Sequence, residues 1–146
     1  MRIYKKKCTF AQRMNRVKLR RMRIVILGTA WPYRGGLAAF NERLAKQFVI
    51  EGHEVEVVTF SLQYPSFLFP GKTQYSNEVA PEGLKITREI NSCNPLSWVK
   101  VGRRLKKEAP DLLISCYWMA FFAPCYGVIQ NIVKRNGKTK CIALVH

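Results

Sequence analysis

The chain has 146 residues, of which 48% are hydrophobic and 23% charged, with a formal charge of +16. That length sets one domain as the default and allows a real core, and the apolar content excludes a disordered tail. The charge is uneven: residues 1–23 hold ten Lys and Arg and no acid, whereas the other 123 residues hold fifteen basic and nine acidic side chains, leaving +6. Most of the basicity therefore belongs to a leader over residues 1–21. It has no apolar stretch of signal-peptide length. Two readings of it stay open: a basic arm that touches anionic lipid or nucleic acid, or a start at Met22, which opens directly into a strand.

Five cysteines stand at positions 8, 93, 116, 125 and 141. None forms a C-x-x-C pair, and with two histidines no zinc site is expected. Cys116 and Cys141 lie in apolar stretches and read as small buried hydrophobes. An odd count without a secretion signal fits a reducing cytoplasm.

In chain order, the first strand is expected over 23–28, apolar on both faces as a covered parallel strand is. A loop ending in Arg34-Gly35-Gly36 leads into an amphipathic helix that ends at Gly52. Its inward stripe reads Leu37, Phe40, Leu44, Ala45 and Phe48, with Glu42 and Arg43 elsewhere on its surface. A second strand follows over about 55–60. Residues 61–82 carry four Pro or Gly breaks and the apolar Phe67-Leu68-Phe69, a long loop of the kind that is often functional. Leu84 to Ile90 reads as a third strand. Asn94-Pro95 has the form of an N-cap and first-turn proline for a helix running to about Glu108. Trp98, Val101 and Leu105 point inward on that helix, and Lys100, Arg103, Arg104, Lys106 and Lys107 fill its remainder. Leu112 to Cys116 gives strand four, a helix spans about 120–135, and Asn136-Gly137 turns into a strand from Lys140 to Val145. This alternation predicts an α/β fold, a Rossmann-like parallel sheet flanked by helices with right-handed crossovers. The uncharged run Leu112 to Val133 is long enough to raise a membrane span, but Pro124, Gly127, Gln130 and Asn131 favour a buried strand and helix.

Gly35-Gly36 ahead of a helix reads either as a seat for an anion, because free N–H groups and the helix dipole converge there, or as a tight loop that merely turns the chain into the helix. It is not the dinucleotide fingerprint: positions 30 and 33 are Ala30 and Tyr33, and Thr59-Phe60 replaces the ribose-binding acid. Gly71-Lys72-Thr73 mimics the end of a P-loop, but the motif's first glycine would fall on Ser66. His53, between a helix cap and a strand, reads as a surface or packing residue rather than a catalyst. The basic helix over 95–108 reads as a solvated face, or as a surface lying on an anionic membrane with Trp98 at the interface.

Taken in order, the first strand, Gly35-Gly36, Leu44-Ala45, Gly52-His53-Glu54-Val55-x-Val57-Val58-Thr59, Pro110-Asp111-Leu112-Leu113-Ile114 and Leu144-Val145-His146 resemble the N-terminal half of GT-B fold glycosyltransferases of family 4. The resemblance spans about residues 22–146. It implies an acceptor-side domain of a hexosyltransferase that serves polysaccharide or glycolipid synthesis. The donor, a nucleotide sugar, is a co-substrate, and no cofactor or metal is implied. Gly35 and Gly36 would bind substrate by offering N–H groups to the donor phosphates, and His146 would lie beside the reacting sugar as the catalytic residue. Here Leu37-Ala38 replaces the family's Ile or Val then Gly. The donor-binding domain with its paired glutamates is not in these residues, so the chain reads as truncated, or as one half of a split enzyme, and inactive alone. Expected partners are the nucleotide sugar, a glycan or glycolipid acceptor and the missing domain or a second chain, with peripheral membrane contact and no nucleic acid. A non-catalytic basic module on an anionic membrane or nucleic acid is the alternative; it lacks RNA-binding aromatic or helix-turn-helix signals.

Overall fold

A computed structural model describes residues 20–65, 67 and 75–146. The leader up to residue 19, with Cys8, and the loop residues 66 and 68–74, with Leu68, Phe69 and Gly71-Lys72-Thr73, lie outside the described residues.

Five strands, β1 (Arg23–Leu27), β2 (Glu54–Leu62), β3 (Lys85–Asn91), β4 (Leu112–Tyr117) and β5 (Lys140–Val145), form one sheet in the order β3-β2-β1-β4-β5. Every pairing is parallel. Among the described residues three helices connect or flank them: α1 (Gly36–Ile50), α2 (Pro95–Glu108) and α3 (Ala123–Lys134), the last preceded by a 3-10 turn at Ala120–Phe122. The order reverses between β1 and β4, which is where an open α/β sheet presents its ligand crevice, at the carboxyl ends of the strands.

Strand β1 anchors the molecule because Ile24, Val25, Ile26 and Leu27 are all fully buried. Alternation sends Ile24 and Ile26 to one face with Val57, Ile114, Cys116 and Ala45 of α1. Val25 and Leu27 go to the other, with Leu113, Val101 and Leu105 of α2 and Ile129 and Val133 of α3. Each buried aliphatic contributes about 1.5–3 kcal/mol. Such a strand, apolar on both sides, is stable only between two covered faces. Cys116 and Cys125 are buried, while Cys141 on the edge strand is half-buried and Cys93 exposed.

The caps form as the residue pattern predicts. Asn94 Oδ1 accepts the Leu96 N–H at 3.0 Å, Pro95 opens α2, and Gly52 follows α1 at φ +91°. His53 is a packing residue: 7% exposed, it accepts the Met22 N–H on Nδ1 at 3.2 Å.

Two helix faces differ from expectation. On α1 the buried residues are Ala38, Asn41 and Ala45, whereas Phe40 is 43% exposed and Leu37, Leu44 and Phe48 are half-buried. Small side chains let α1 approach the sheet closely, and a buried hydrogen bond from Asn41 Nδ2 to the Thr29 carbonyl (2.8 Å) engages the amide nitrogen of the polar residue placed there. On α2, Arg104 is not part of the solvated face. It reaches inward to Glu56 (3.1 Å), Glu89 (3.0 Å) and Glu108 (3.1 Å). Trp98 faces inward as expected, half-buried, with its indole N–H donating to the Asn91 carbonyl at 2.7 Å. Among the described residues no helix is long and apolar enough to cross a membrane.

Candidate functional site

The chain leaves β1 at Leu27 and is guided to α1 by successive hydrogen bonds. Gly28 N–H donates to the Val58 carbonyl (3.2 Å), Ala30 N–H to Thr59 Oγ1 (3.0 Å) and Tyr33 N–H to the Ala30 carbonyl (3.0 Å). Gln63 Nε2 donates to Thr29 Oγ1 at 3.2 Å. Thr59, where an adenine-dinucleotide site would place an acid, thus spends its hydroxyl on holding this loop.

Gly35 is the N-cap of α1 at φ +122°, ψ 174°, and no side chain caps the helix. The first helical bond runs from Ala39 N–H to the Gly35 carbonyl (3.1 Å), so the N–H groups of Gly36, Leu37 and Ala38 precede the ladder. No acid occupies the first turn, and a Cβ added to Gly35 or Gly36 would meet nothing within 4 Å. The arrangement offers unneutralised donors with open space above them. The Ala38 methyl, at the position where the resembled family carries glycine, belongs to a residue only 3% exposed on the buried side of α1.

His146 follows β5 and so lies at the same carboxyl edge. Its N–H donates to the Tyr117 carbonyl at 2.9 Å, and its ring stands edge-on to Phe40 with centroids 4.7 Å apart at 78°. Phe40 is one helical turn beyond Gly36. His146 is thus seated against Phe40, one turn on from Gly36 and on the opposite flank of α1 from Gly35.

A cleft of about 440 Å³ opens on the other flank of α1. Gly35, Ala38, Ala39 and Glu42 form its α1 wall, and Ser76, Asn77, Glu78, Val79 and Pro81 form the opposite one, with Trp31, Tyr33 and Arg34 between. At 3.6 residues per turn, Phe40 points away from that wall, and neither Gly36 nor His146 lines the cleft. The two walls are tied together. Trp31 N–H donates to Glu42 Oε1 (2.8 Å) and Trp31 Nε1 to the Glu78 carbonyl (2.9 Å). Ser76 N–H donates to the Pro32 carbonyl (2.6 Å), and Tyr33 pairs with Tyr75, ring centroids 5.3 Å apart. Burial, followed by the neighbouring Tyr75, pushes the Tyr33 hydroxyl up to about 12, so it stays protonated at neutral pH. The Arg88 guanidinium lies 5.9 Å over the Tyr75 ring.

Within the 61–82 loop, the wall of this cleft is the 76–81 part. Tyr64 is instead core: it stacks on Phe121 (6.0 Å) and packs against Trp118 and Phe122 beneath the sheet's carboxyl edge. Phe67 is 78% exposed. Trp31, Glu42 and Glu78 escape the sequence reading because they line one cleft only after two loops 45 residues apart meet. Among the described residues no group of three or more His, Cys, Asp or Glu side chains is placed to hold a metal ion.

Scanning the chain against protein-family models yields no match, and a search of curated proteins yields none either.

Proposed function

We propose that residues 22–146 form the acceptor-side domain of a glycosyltransferase of the GT-B, family 4 kind, which moves a sugar from a nucleotide sugar to a glycan or glycolipid. The supporting observation is the uncapped N-terminus of α1 at Gly35-Gly36, with His146 against Phe40 one turn on, at the carboxyl edge of a sheet with switch-point order. In this reading the N–H groups of Gly36 and Leu37 and the positive end of α1 stabilise the departing diphosphate. The His146 imidazole hydrogen-bonds a hydroxyl of the reacting sugar.

The test is a titration of the ¹⁵N-labelled chain with a nucleoside diphosphate and with nucleotide sugars. The amides of Gly35, Gly36, Leu37 and His146 are expected to shift together, and His146→Ala to abolish the sugar-dependent part while sparing the diphosphate-dependent part. Shifts confined to other regions, or none, overturn the proposal.

A basic module on an anionic surface is favoured by one observation, the exposed Lys100, Arg103, Lys106 and Lys107 on the outer side of α2. That reading requires salt-sensitive binding to anionic vesicles or nucleic acid that reversal of these four charges removes and Gly36→Ala leaves intact.

A further inference from the structure

The cleft between α1 and the 76–81 segment has the build of a ring-binding seat. Its volume, about 440 Å³, falls in the range of roughly 300–1,000 Å³ that small-molecule sites occupy. Trp31 is held at both polar ends, its main-chain N–H by Glu42 Oε1 and its indole N–H by the Glu78 carbonyl. With both donors committed, what Trp31 has left for a ligand is carbon surface on a fixed plate. Glu42 is half-buried, and only its Oε1 is engaged, so Oε2 remains as an acceptor fixed beside that plate. The bond from Ser76 N–H to the Pro32 carbonyl holds the far wall in register, so the seat exists before any ligand arrives.

The charges select among ligands. Glu42, half-buried, brings a negative charge to the lining, while Glu78 and Arg34 are both exposed and screened and oppose each other. Against Glu42 stands the N-terminus of α1, worth about half a positive charge. An apolar plate with acceptors at its rim suits a ring that has one carbon-rich face and hydroxyl or ammonium groups at its edge. A carboxylate on such a ring would meet like charge.

We propose that this cleft seats a neutral or amino-bearing sugar ring of the acceptor over Trp31, with Glu42 receiving a hydroxyl or ammonium hydrogen, and that it rejects acidic sugars. The choice of a sugar rests on the sugar-transfer reading; the position and the charge preference rest on the cleft alone.

The experiment titrates the ¹⁵N-labelled full chain with methyl glucoside, glucosamine and glucuronate, following the Trp31 indole resonance, assigned by its loss in Trp31→Phe, and the Glu78 amide. The first two sugars are expected to move these signals and glucuronate to leave them. Glu42→Gln should lower the affinity for glucosamine about tenfold, the loss of one charge-assisted hydrogen bond, while methyl glucoside binding falls less. If Glu42→Gln disturbs the loop it holds, Glu78→Gln serves, since the Trp31 indole bonds to the Glu78 main chain, and it should weaken glucosamine binding in the same direction. Glucuronate binding as tightly as glucosamine, shifts that bypass Trp31, or no shift with any of the three overturns the proposal. The two readings fail separately. A diphosphate reports through Gly36 and His146 on the other flank, so silence there with a response at Trp31 removes the transfer reading and leaves a sugar-binding cleft. The converse removes the cleft.

Discussion

Gly28 lies so close beneath Asn41 that a Cβ on the glycine would stand 2.6 Å from Asn41 Nδ2, and 3.1 Å from the Cys116 Cβ. This contact fixes how near α1 comes to the sheet at the switch point. Gly28→Ala is expected to destabilise the fold by about 1–3 kcal/mol through overpacking. Asn41→Ala strands the buried Thr29 carbonyl but also removes an Oδ1 that has no partner, so it costs about 1 kcal/mol. In the double variant the colliding amide is gone and the two losses do not add. Urea unfolding of the four proteins measures the coupling; strict additivity would mean that the two residues do not press on each other.

The two glycines before α1 are not equivalent. Gly35, at φ +122° and ψ 174°, occupies backbone space that side chains rarely enter, so Gly35→Ala is expected to lose about 1–3 kcal/mol although its Cβ would touch nothing. Gly36 is the first helical residue, with the same open space, so Gly36→Ala should leave stability unchanged or raise it by up to about 1 kcal/mol. It nevertheless places a methyl where an anion would approach. Thermal melts and the diphosphate titration should therefore separate them: Gly36→Ala keeps the melt and loses the shifts. Retained shifts in Gly36→Ala would show that nothing binds over that turn.

Glu56, 3% exposed, ties β2 to its neighbours at the amino edge of the sheet, opposite the site. Its carboxylate accepts from Thr87 Oγ1 (2.9 Å) and Lys85 Nζ (3.1 Å) and pairs with Arg104 (3.1 Å) and Arg23 (3.8 Å). Burial alone raises its pKa, but the Thr87 and Lys85 hydrogen bonds and the Arg104 charge outweigh it and hold the group below its ordinary 4.5. The unfolded chain then takes up this proton at a higher pH than the folded one. Stability from Glu56 is present above pH 4.5 and is lost as pH falls through the lower folded value. Urea midpoints measured down through this range should drop, and Glu56→Gln should flatten that slope while removing about 1–2 kcal/mol at neutral pH, because Arg104 loses one of its three carboxylate partners but keeps Glu89 and Glu108. An unchanged slope in Glu56→Gln would assign the acid sensitivity elsewhere.

Ala109 closes α2 in the left-handed conformation, φ 46° and ψ 61°, with its N–H donating to the Leu105 carbonyl at 2.9 Å. A Cβ in this region costs roughly 1 kcal/mol that glycine does not incur. Ala109→Gly is therefore expected to raise stability by up to about 1 kcal/mol, read as a higher melting temperature. A lower one would mean that glycine's greater freedom in the unfolded chain outweighs the strain.

The order of strands and helices was legible in the sequence because each element is written in contiguous residues. The doubly apolar run of β1, the Asn94-Pro95 cap and the glycine that follows α1 act over a few positions and need no distant partner. Lys140 to Val145 was placed to the residue for the same reason. What the sequence left open is rotation and meeting. Phe40 and Asn41 are neighbours, and hydrophobicity alone turns Phe40 inward. The tight approach permitted by Gly28, Ala38 and Ala45, with a hydrogen bond waiting at Thr29, turned Asn41 inward instead. Arg104 looked like one of five solvated bases until β2 and β3 set Glu56 and Glu89 beside it. The Trp31 cleft, and the separation of Gly35 on one flank of α1 from His146 on the other, depend on where whole segments pack. That is decided by the sum of many burial and pairing energies across the sheet, a quantity no local pattern carries.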